Sequence, residues 1–234
     1  PGAGAYKVPY RWRPMTFKSE GREYFNERAI ATQQTGFVLI AQMRSWLPDA
    51  VGGILWFGVD DANTAVLTPM YASITEIPEC YRRGNGSMTE FSWTSAFWIH
   101  NWVANMAYNR YEPMIRDIRP VQKELEDSYV DLVKNTDAKA LELLKSSPAQ
   151  ATAYLTEVCG KVANETTARW KKLGEYLLVK YMDGNVKKEK DGKFEENGYG
   201  QIVSPNFPGY SQEYYDQVAK SAEAKHLEVP KKDK

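Results

Sequence analysis

The fold of this chain is decided by the stretch Ile54-Leu55-Trp56-Phe57-Gly58-Val59, in which apolar residues stand at consecutive rather than alternate positions. A strand with one face in water alternates apolar and polar side chains, whereas a strand covered on both faces reads as a continuous apolar run. The stretch therefore predicts a strand with both faces covered, and such a strand indicates a layered sandwich.

Two further β-type runs flank this strand, because Val, Ile, Phe, Thr and Trp are frequent over residues 29–43 and 64–71. Residues 60–63 predict a short hairpin loop between the second and third strands. Asp60 and Asp61 could instead form a carboxylate pair for acid–base chemistry. Adjacent side chains in a hairpin point in different directions, so turn formation is the better interpretation.

A period of 3.6 residues replaces the strand pattern after Pro78 and a turn at residues 84–86. Thr94 or Ser95 is a suitable N-cap for the first helix. We expect the prolines at positions 113 and 120 to kink or divide the helical stretch.

The clearest helix start in the sequence is Ser147 followed by Pro148, an N-cap residue and a first-turn proline. The helix is expected to end at Gly184. The chain thus divides into residues 1–78, with an extended segment and the strands, a helical region over 79–184, and a charged C-terminal tail with Pro and Gly over 185–234. The predicted class is α+β, with antiparallel strands followed by a long helical region.

Composition excludes several classes of function. Thirty basic and thirty acidic residues cancel, so no net positive field attracts nucleic acid. No apolar run approaches the roughly 18 to 20 residues that span a bilayer. Cys80 and Cys159 lie far apart without a C-x-x-C motif, which argues against a disulfide framework and a thiolate metal site and predicts two small buried residues.

Histidine-based chemistry is equally hard to build. The chain has His100 and His226, and His226 lies in the charged tail, so a histidine metal site cannot be assembled. His100 stands near Trp98 and Trp102 on a predicted helix, where a hydrogen-bonded packing role is favoured over that of a general base. We expect no metal and no other cofactor.

Six segments between positions 9 and 98 together resemble the bacterial, secernin-related dipeptidase family, and the order in which they occur is more specific than any one of them. The segments are Pro9-Tyr10-Arg11-Trp12-Arg13-Pro14, Asn26-Glu27-Arg28-Ala29-Ile30-Ala31-Thr32-Gln33-Gln34-Thr35-Gly36, Gln42-Met43-Arg44-Ser45-Trp46-Leu47-Pro48, Gly53-Ile54-Leu55-Trp56-Phe57-Gly58-Val59-Asp60-Asp61-Ala62, Thr68-Pro69-Met70-Tyr71 and Ser95-Ala96-Phe97-Trp98.

The resemblance implies an N-terminal-nucleophile hydrolase with an αββα sandwich, which cleaves dipeptides with a cysteine exposed by removal of the preceding peptide. In such enzymes the thiol attacks the scissile carbonyl and the α-amine of the same residue acts as the base. Residue 1 is Pro, so we expect the cysteine to lie in an upstream segment. This chain would then be the C-terminal part, inactive alone and without a catalytic residue of its own.

Four polar residues are the candidates for substrate binding. Gln33, Gln34 and Thr35 are expected on the first strand, and Arg44 just beyond it. An Arg side chain can bind the carboxylate of a dipeptide through two hydrogen bonds. The alternative for Arg44 is that it only ties a loop to the sheet.

The resemblance implies two partners, the N-terminal part of the same protein and dipeptide substrates, and assembly into a homo-oligomer is left open. A periplasmic or secreted location is implied by the resemblance alone. The alternative is a non-catalytic binding or interaction module, favoured by the aromatic segment from Tyr6 to Trp12. An exposed apolar sheet face would indicate a missing half, and a closed core a free-standing module.

Overall fold

A computed structural model describes residues 6–8, 15–25, 31–203, 207–221 and 229. Its strands and helices make it an α+β protein, as the sequence predicts. The central sheet contains β3 (Phe37–Met43), β4 (Gly53–Val59) and β5 (Thr68–Tyr71), all antiparallel and in that order. The predicted strand Ile54–Val59 lies within β4, and none of the residues of β4 is exposed.

The other two strands are shorter than predicted. The first begins at Phe37, not near residue 29, because residues 31–36 form a turn in which the Thr35 amide donates to the Thr32 carbonyl at 3.1 Å. Residues 26–30 lie outside the described part. The third begins at Thr68, because the amides of Thr64 and Ala65 donate to the Asp61 carbonyl at 3.1 and 2.8 Å. Amides used in a turn are not available to the sheet ladder.

The helical region follows the predicted caps. Helix α2 spans Ala96–Asn109 with Ser95 at its N-cap, and α4 spans Pro148–Tyr181 with the Ser147 hydroxyl accepting from the Gln150 amide at 3.3 Å. Helix α3 (Tyr111–Leu144) contains both prolines. The helical stretch is therefore divided at Arg110, which places Pro113 in the first turn of α3. A proline is tolerated there, because the N–H that it lacks would have no helical partner.

Two buried clusters connect the helices with each other and with the sheet. One joins the sheet to α3 and α4 through Ile54, Tyr71, Val133 and Leu155. The other joins α2, α3 and α4 and contains Trp170. Helices α3 and α4 are joined by three residues, so they lie antiparallel.

Helices α2 and α4 approach closely at one glycine. A Cβ at Gly174 would lie 2.4 Å from the Cζ3 atom of Trp102, closer than any van der Waals contact. The absence of a side chain at this position therefore sets the distance between the two helices.

The two edge strands of the sheet differ in burial: β5 is covered, and β3 is exposed. All residues of β5 are buried, whereas β3 exposes Leu39 (50%), Ile40 (56%) and Met43 (77%). Within the described residues, β3 pairs only with β4, so its outer edge has no strand partner. An exposed apolar edge strand is unusual in a complete domain.

One arginine joins three parts of the chain at the break between α2 and α3. The Arg110 guanidinium donates to the carbonyls of Tyr181 and Gly184, at 2.7 and 3.3 Å, near the end of α4. It also lies over the ring of Tyr6, 6.0 Å from the centroid. Gly184, where α4 is predicted to stop, has a φ of 77° and ends a short 3-10 turn, Met182–Gly184.

The ends of the chain carry small elements that the sequence analysis did not anticipate. These are the hairpin of β1 (Thr16–Ser19) and β2 (Arg22–Phe25), the hairpin of β6 (Glu189–Lys190) and β7 (Lys193–Phe194), and helix α5 (Gln212–Lys220). Across the described ranges, no helix is both long and apolar enough for a membrane crossing. α1 (Asp49–Gly52) is a single turn between β3 and β4.

Candidate functional site

The predicted polar residues Gln33, Gln34 and Thr35 lie in the turn that precedes β3, not on the strand itself. The Gln34 side chain is exposed, and Gln33 and Thr35 are half-buried. The Oε1 atom of Gln33 is buried without a hydrogen-bond partner in the part of the chain that the structure describes. This turn meets the end of β4, because the Asp60 amide donates to the Gly36 carbonyl at 2.9 Å.

The predicted residue Arg44 lies directly after β3 and is 8% exposed. Its guanidinium forms an ion pair with Asp137 of α3, with one contact at 3.2 Å. It also donates to the carbonyls of Val51 and Gly52 in α1. Arg44 thus ties the α1 turn and the sheet to α3, the alternative role considered from the sequence.

The structure does not bring these four residues together. Gln33, Gln34 and Thr35 precede β3 and Arg44 follows it, and seven strand residues span roughly 23 Å. One dipeptide, with two residues, reaches at most about 7 Å. The two ends of β3 therefore belong to different surroundings, and a role in substrate binding stays a prediction for each.

A pair of buried carboxylates lies at the end of β4, where the sequence favours a turn over a carboxylate pair for acid–base chemistry. Asp60 and Asp61 are 1% and 0% exposed. Asp61 does form the turn, because its Oδ2 accepts from the Thr64 hydroxyl at 3.1 Å. Asp60 accepts from Asn101 Nδ2 of α2 at 2.8 Å, and its φ of 66° is in the left-handed region.

Burial raises the pKa of Asp60 to about 6, and the hydrogen bond from Asn101 opposes that rise. A carboxyl group with such a pKa can hold or release a proton near neutral pH. One signal in the sequence was not used. Thr64 stands three residues after Asp61, a spacing at which an Asp side chain can form a local turn. The depth of burial comes from α2, which is distant in sequence, and could not be predicted locally.

The remaining candidates are structural. His100 is buried and stacks on Trp170, with ring centroids 4.9 Å apart, and burial lowers its pKa to about 3. The predicted packing is confirmed, but the hydrogen bond expected with it is not, since its Nδ1 has no hydrogen-bond partner among the described residues. Cys80 and Cys159 are buried and free, as predicted. His226 lies outside the described residues.

A cleft of about 450 Å³ lies against one face of β4 and was not foreseen from the sequence. Its walls include Phe57, Tyr81, Phe97 and Trp98, and Arg82 and Arg83 also line it. Phe57 pairs with Leu39 across the sheet, so the cleft and the exposed Leu39 share one face. Aromatic walls with a few charged or polar groups are typical of small-molecule sites.

Within the ranges given above, no group of three or more His, Cys, Asp or Glu side chains could hold a metal ion.

Comparison with known proteins points to a peptidase family. A family model described as Peptidase family C69 matches residues 5–124, from the start of the chain through β3–β5 and α2 into α3. A protein named "Probable dipeptidase" from Latilactobacillus sakei is 29% identical over 143 residues, which are 60% of this chain and 28% of that protein. The matched region is therefore less than a third of the relative's length.

Proposed function

The chain belongs to peptidase family C69, and from this premise we propose that it is the C-terminal part of a dipeptidase. The similarity to a probable dipeptidase supports the substrate class. The proposed reaction is attack by a cysteine thiolate on the scissile carbonyl, with the α-amine of the same residue as the base. That cysteine would be the first residue of a segment upstream of position 1.

The observation that carries this proposal is the open side of the sheet. Leu39 and Met43 on one face of β3, and Ile40 on the other, are each at least half exposed. Burying apolar area contributes roughly 25 cal/mol per Å², so these side chains favour a covering partner. A sheet that continues into an upstream segment of the same protein would supply it.

The two cysteines of the chain are poor nucleophiles, which also favours an upstream one. Burial raises the pKa of Cys159 to about 11 and raises that of Cys80. The thiolate is the reactive form, so a raised pKa reduces the reactive fraction at neutral pH. Neither residue has a free α-amine beside its thiol.

The test uses the full-length, processed protein and a panel of dipeptides, with released amino acids as the readout. We expect hydrolysis, and its loss when the N-terminal cysteine is replaced by Ser. The matched control is Cys159→Ser, which leaves the terminal thiol in place and should retain activity. If the processed full-length protein cleaves no dipeptide, the proposed function is wrong.

A second measurement tests the division of labour between the two parts. The 234-residue chain alone should be inactive, and addition of the upstream segment should restore hydrolysis. If the chain alone cleaves dipeptides, the reaction uses other groups, and the proposed mechanism fails while the substrate class stands.

The non-catalytic alternative makes the opposite prediction, since a free-standing module needs no covering segment. The exposed apolar residues of β3 favour the incomplete enzyme over this module. Location in the periplasm or outside the cell is part of the proposal, and cell fractionation of the source organism tests it. The oligomeric state of the intact protein can be measured by light scattering.

A further inference from the structure

We propose that the cleft beside β4 is a subsite for a C-terminal aromatic residue of the substrate, with Arg83 binding its carboxylate. The inference rests on the proposed function and adds a preference among dipeptides. The cleft volume of about 450 Å³ falls in the range of small-ligand sites. It opens on the sheet face that carries the exposed residue Leu39 of β3.

The aromatic walls are held in place before any ligand arrives. Trp98 Nε1 donates to the Ser87 carbonyl at 3.0 Å, and the Tyr81 hydroxyl lies 2.9 Å from that of Thr68. Phe57 meets Tyr81 edge to face, with ring centroids 5.2 Å apart. A site fixed in this way loses little entropy when a flat ring enters it.

The loop that bears the charge is also built rather than loose. Asn85 donates to the Glu79 carbonyl at 3.1 Å and accepts from the hydroxyls of Ser92 and Thr94 at 2.6 and 3.0 Å. Gly86 has a φ of 78°, and a Cβ there would lie 3.0 Å from Cδ1 of Trp98. The glycine therefore lets the loop approach the tryptophan ring.

The two neighbouring arginines differ in their contacts. Arg82 pairs with Glu79 at 3.1 Å and donates to the Ile77 carbonyl at 3.4 Å. Both arginines line the cleft, but Arg83 has no acceptor within the described ranges. Its guanidinium is thus the one of the pair that can take a carboxylate through two hydrogen bonds.

The binding test uses the 234-residue chain and N-acetyl-L-phenylalanine, observed through the Trp98 Nε1–H signal by NMR. We expect a dissociation constant on the order of 1 mM and binding weakened roughly tenfold for the carboxamide analogue or in Arg83→Gln. Arg116→Gln, at an exposed position on α3 outside the cleft, is the control and should bind normally. Equal binding of acid and amide, an unchanged Arg83→Gln, or no shift of Trp98 would overturn the inference.

A kinetic test in the intact protein separates this inference from the proposed function. Arg83→Gln should raise KM for dipeptides ending in Phe or Tyr more than for those ending in Ala. Hydrolysis without that selective change leaves the dipeptidase standing and removes the subsite. If the protein binds the ligand in the cleft but hydrolyses no dipeptide, the binding site stands and the proposed function is wrong.

Discussion

The antiparallel helices α3 and α4 bury their apolar residues, whereas the strand β3 exposes its own. Leu155 and Trp170 of α4 are fully buried between helices and sheet, whereas Leu39 and Met43 of β3 are largely exposed. Both elements are rich in apolar residues, so composition does not explain the difference. A helix can bury its apolar stripe against its own neighbours in sequence, but an edge strand needs a partner that this part of the chain does not supply.

The largest effect is expected where the helical region meets the sheet. Leu155→Ala removes a fully buried side chain and should lower the free energy of unfolding by about 2–5 kcal/mol. Leu39→Ala, the same change at a half-exposed position, should cost less than about 1 kcal/mol in the 234-residue chain. Urea denaturation measures both, and similar losses would contradict the contrast between the two regions.

The contact between Arg44 and Asp137 is the next test, because it joins the end of β3 to α3. Arg44→Ala removes the ion-pair partner of the largely buried Asp137 carboxylate, which keeps the hydrogen bond from the Tyr71 hydroxyl. The change should lower the free energy of unfolding by about 3 kcal/mol. Lys134→Ala, one turn before Asp137 and exposed, is the control and should change it by less than about 0.5 kcal/mol. A stable Arg44→Ala protein with a raised KM would favour substrate binding instead.

The buried side chains of Asp60 and His100 should change the stability of the protein with pH in opposite directions. The folded state raises the pKa of Asp60 from 3.8 to about 6, so its contribution to stability is present below pH 4 and is lost as pH rises through 6. It lowers the pKa of His100 from 6.5 to about 3, so that contribution is present above pH 6.5 and is lost as pH falls through 3.

Asp60→Asn should therefore raise the free energy of unfolding at pH 7 by about 1–3 kcal/mol and change it little at pH 3.5. Asp131→Asn, at an exposed position, is the control for a lost negative charge. Denaturation of each protein at several pH values is the measurement. An Asp60→Asn effect independent of pH would mean that the Asp60 carboxyl titrates normally.

Leu39→Lys should have the smallest effect on stability and a clear effect on self-association. Leu39→Lys places a charge on the open strand and should change the free energy of unfolding by about 0.5 kcal/mol or less, because Leu39 is half exposed. It should nevertheless reduce self-association of the chain, since a charge on an edge strand opposes strand addition. Light scattering tests this, with Leu178→Lys on the exposed side of α4 as the control.

Local sequence signals predicted what depends on local physics. The middle strand, the Ser147–Pro148 start of α4 and the Gly184 stop required only side-chain pattern, one N-cap and one glycine. The start of the first strand was placed too early, because β propensity did not reveal the turn at Thr32 to Thr35. Arg44 was located after β3, but its partner Asp137 lies 93 residues away, beyond any local rule.

The candidate sites show the same difference between local features and features that depend on distant residues. The charge of Asp60 and Asp61 was visible, while their burial depends on α2. The cleft combines β4, the loop of residues 80–88 after β5, and α2, and only the folded chain brings them together. Pattern analysis identified the residues of these elements without showing which of them meet.

Arg110 has a practical consequence for where this protein can be shortened. Its guanidinium links the first described residues, the α2–α3 break and the carbonyls that close α4. A truncation that ends before Gly184 would remove one of these acceptors and let the last turn of α4 fray. A minimal version for crystallisation should therefore extend past residue 185 and retain Tyr6.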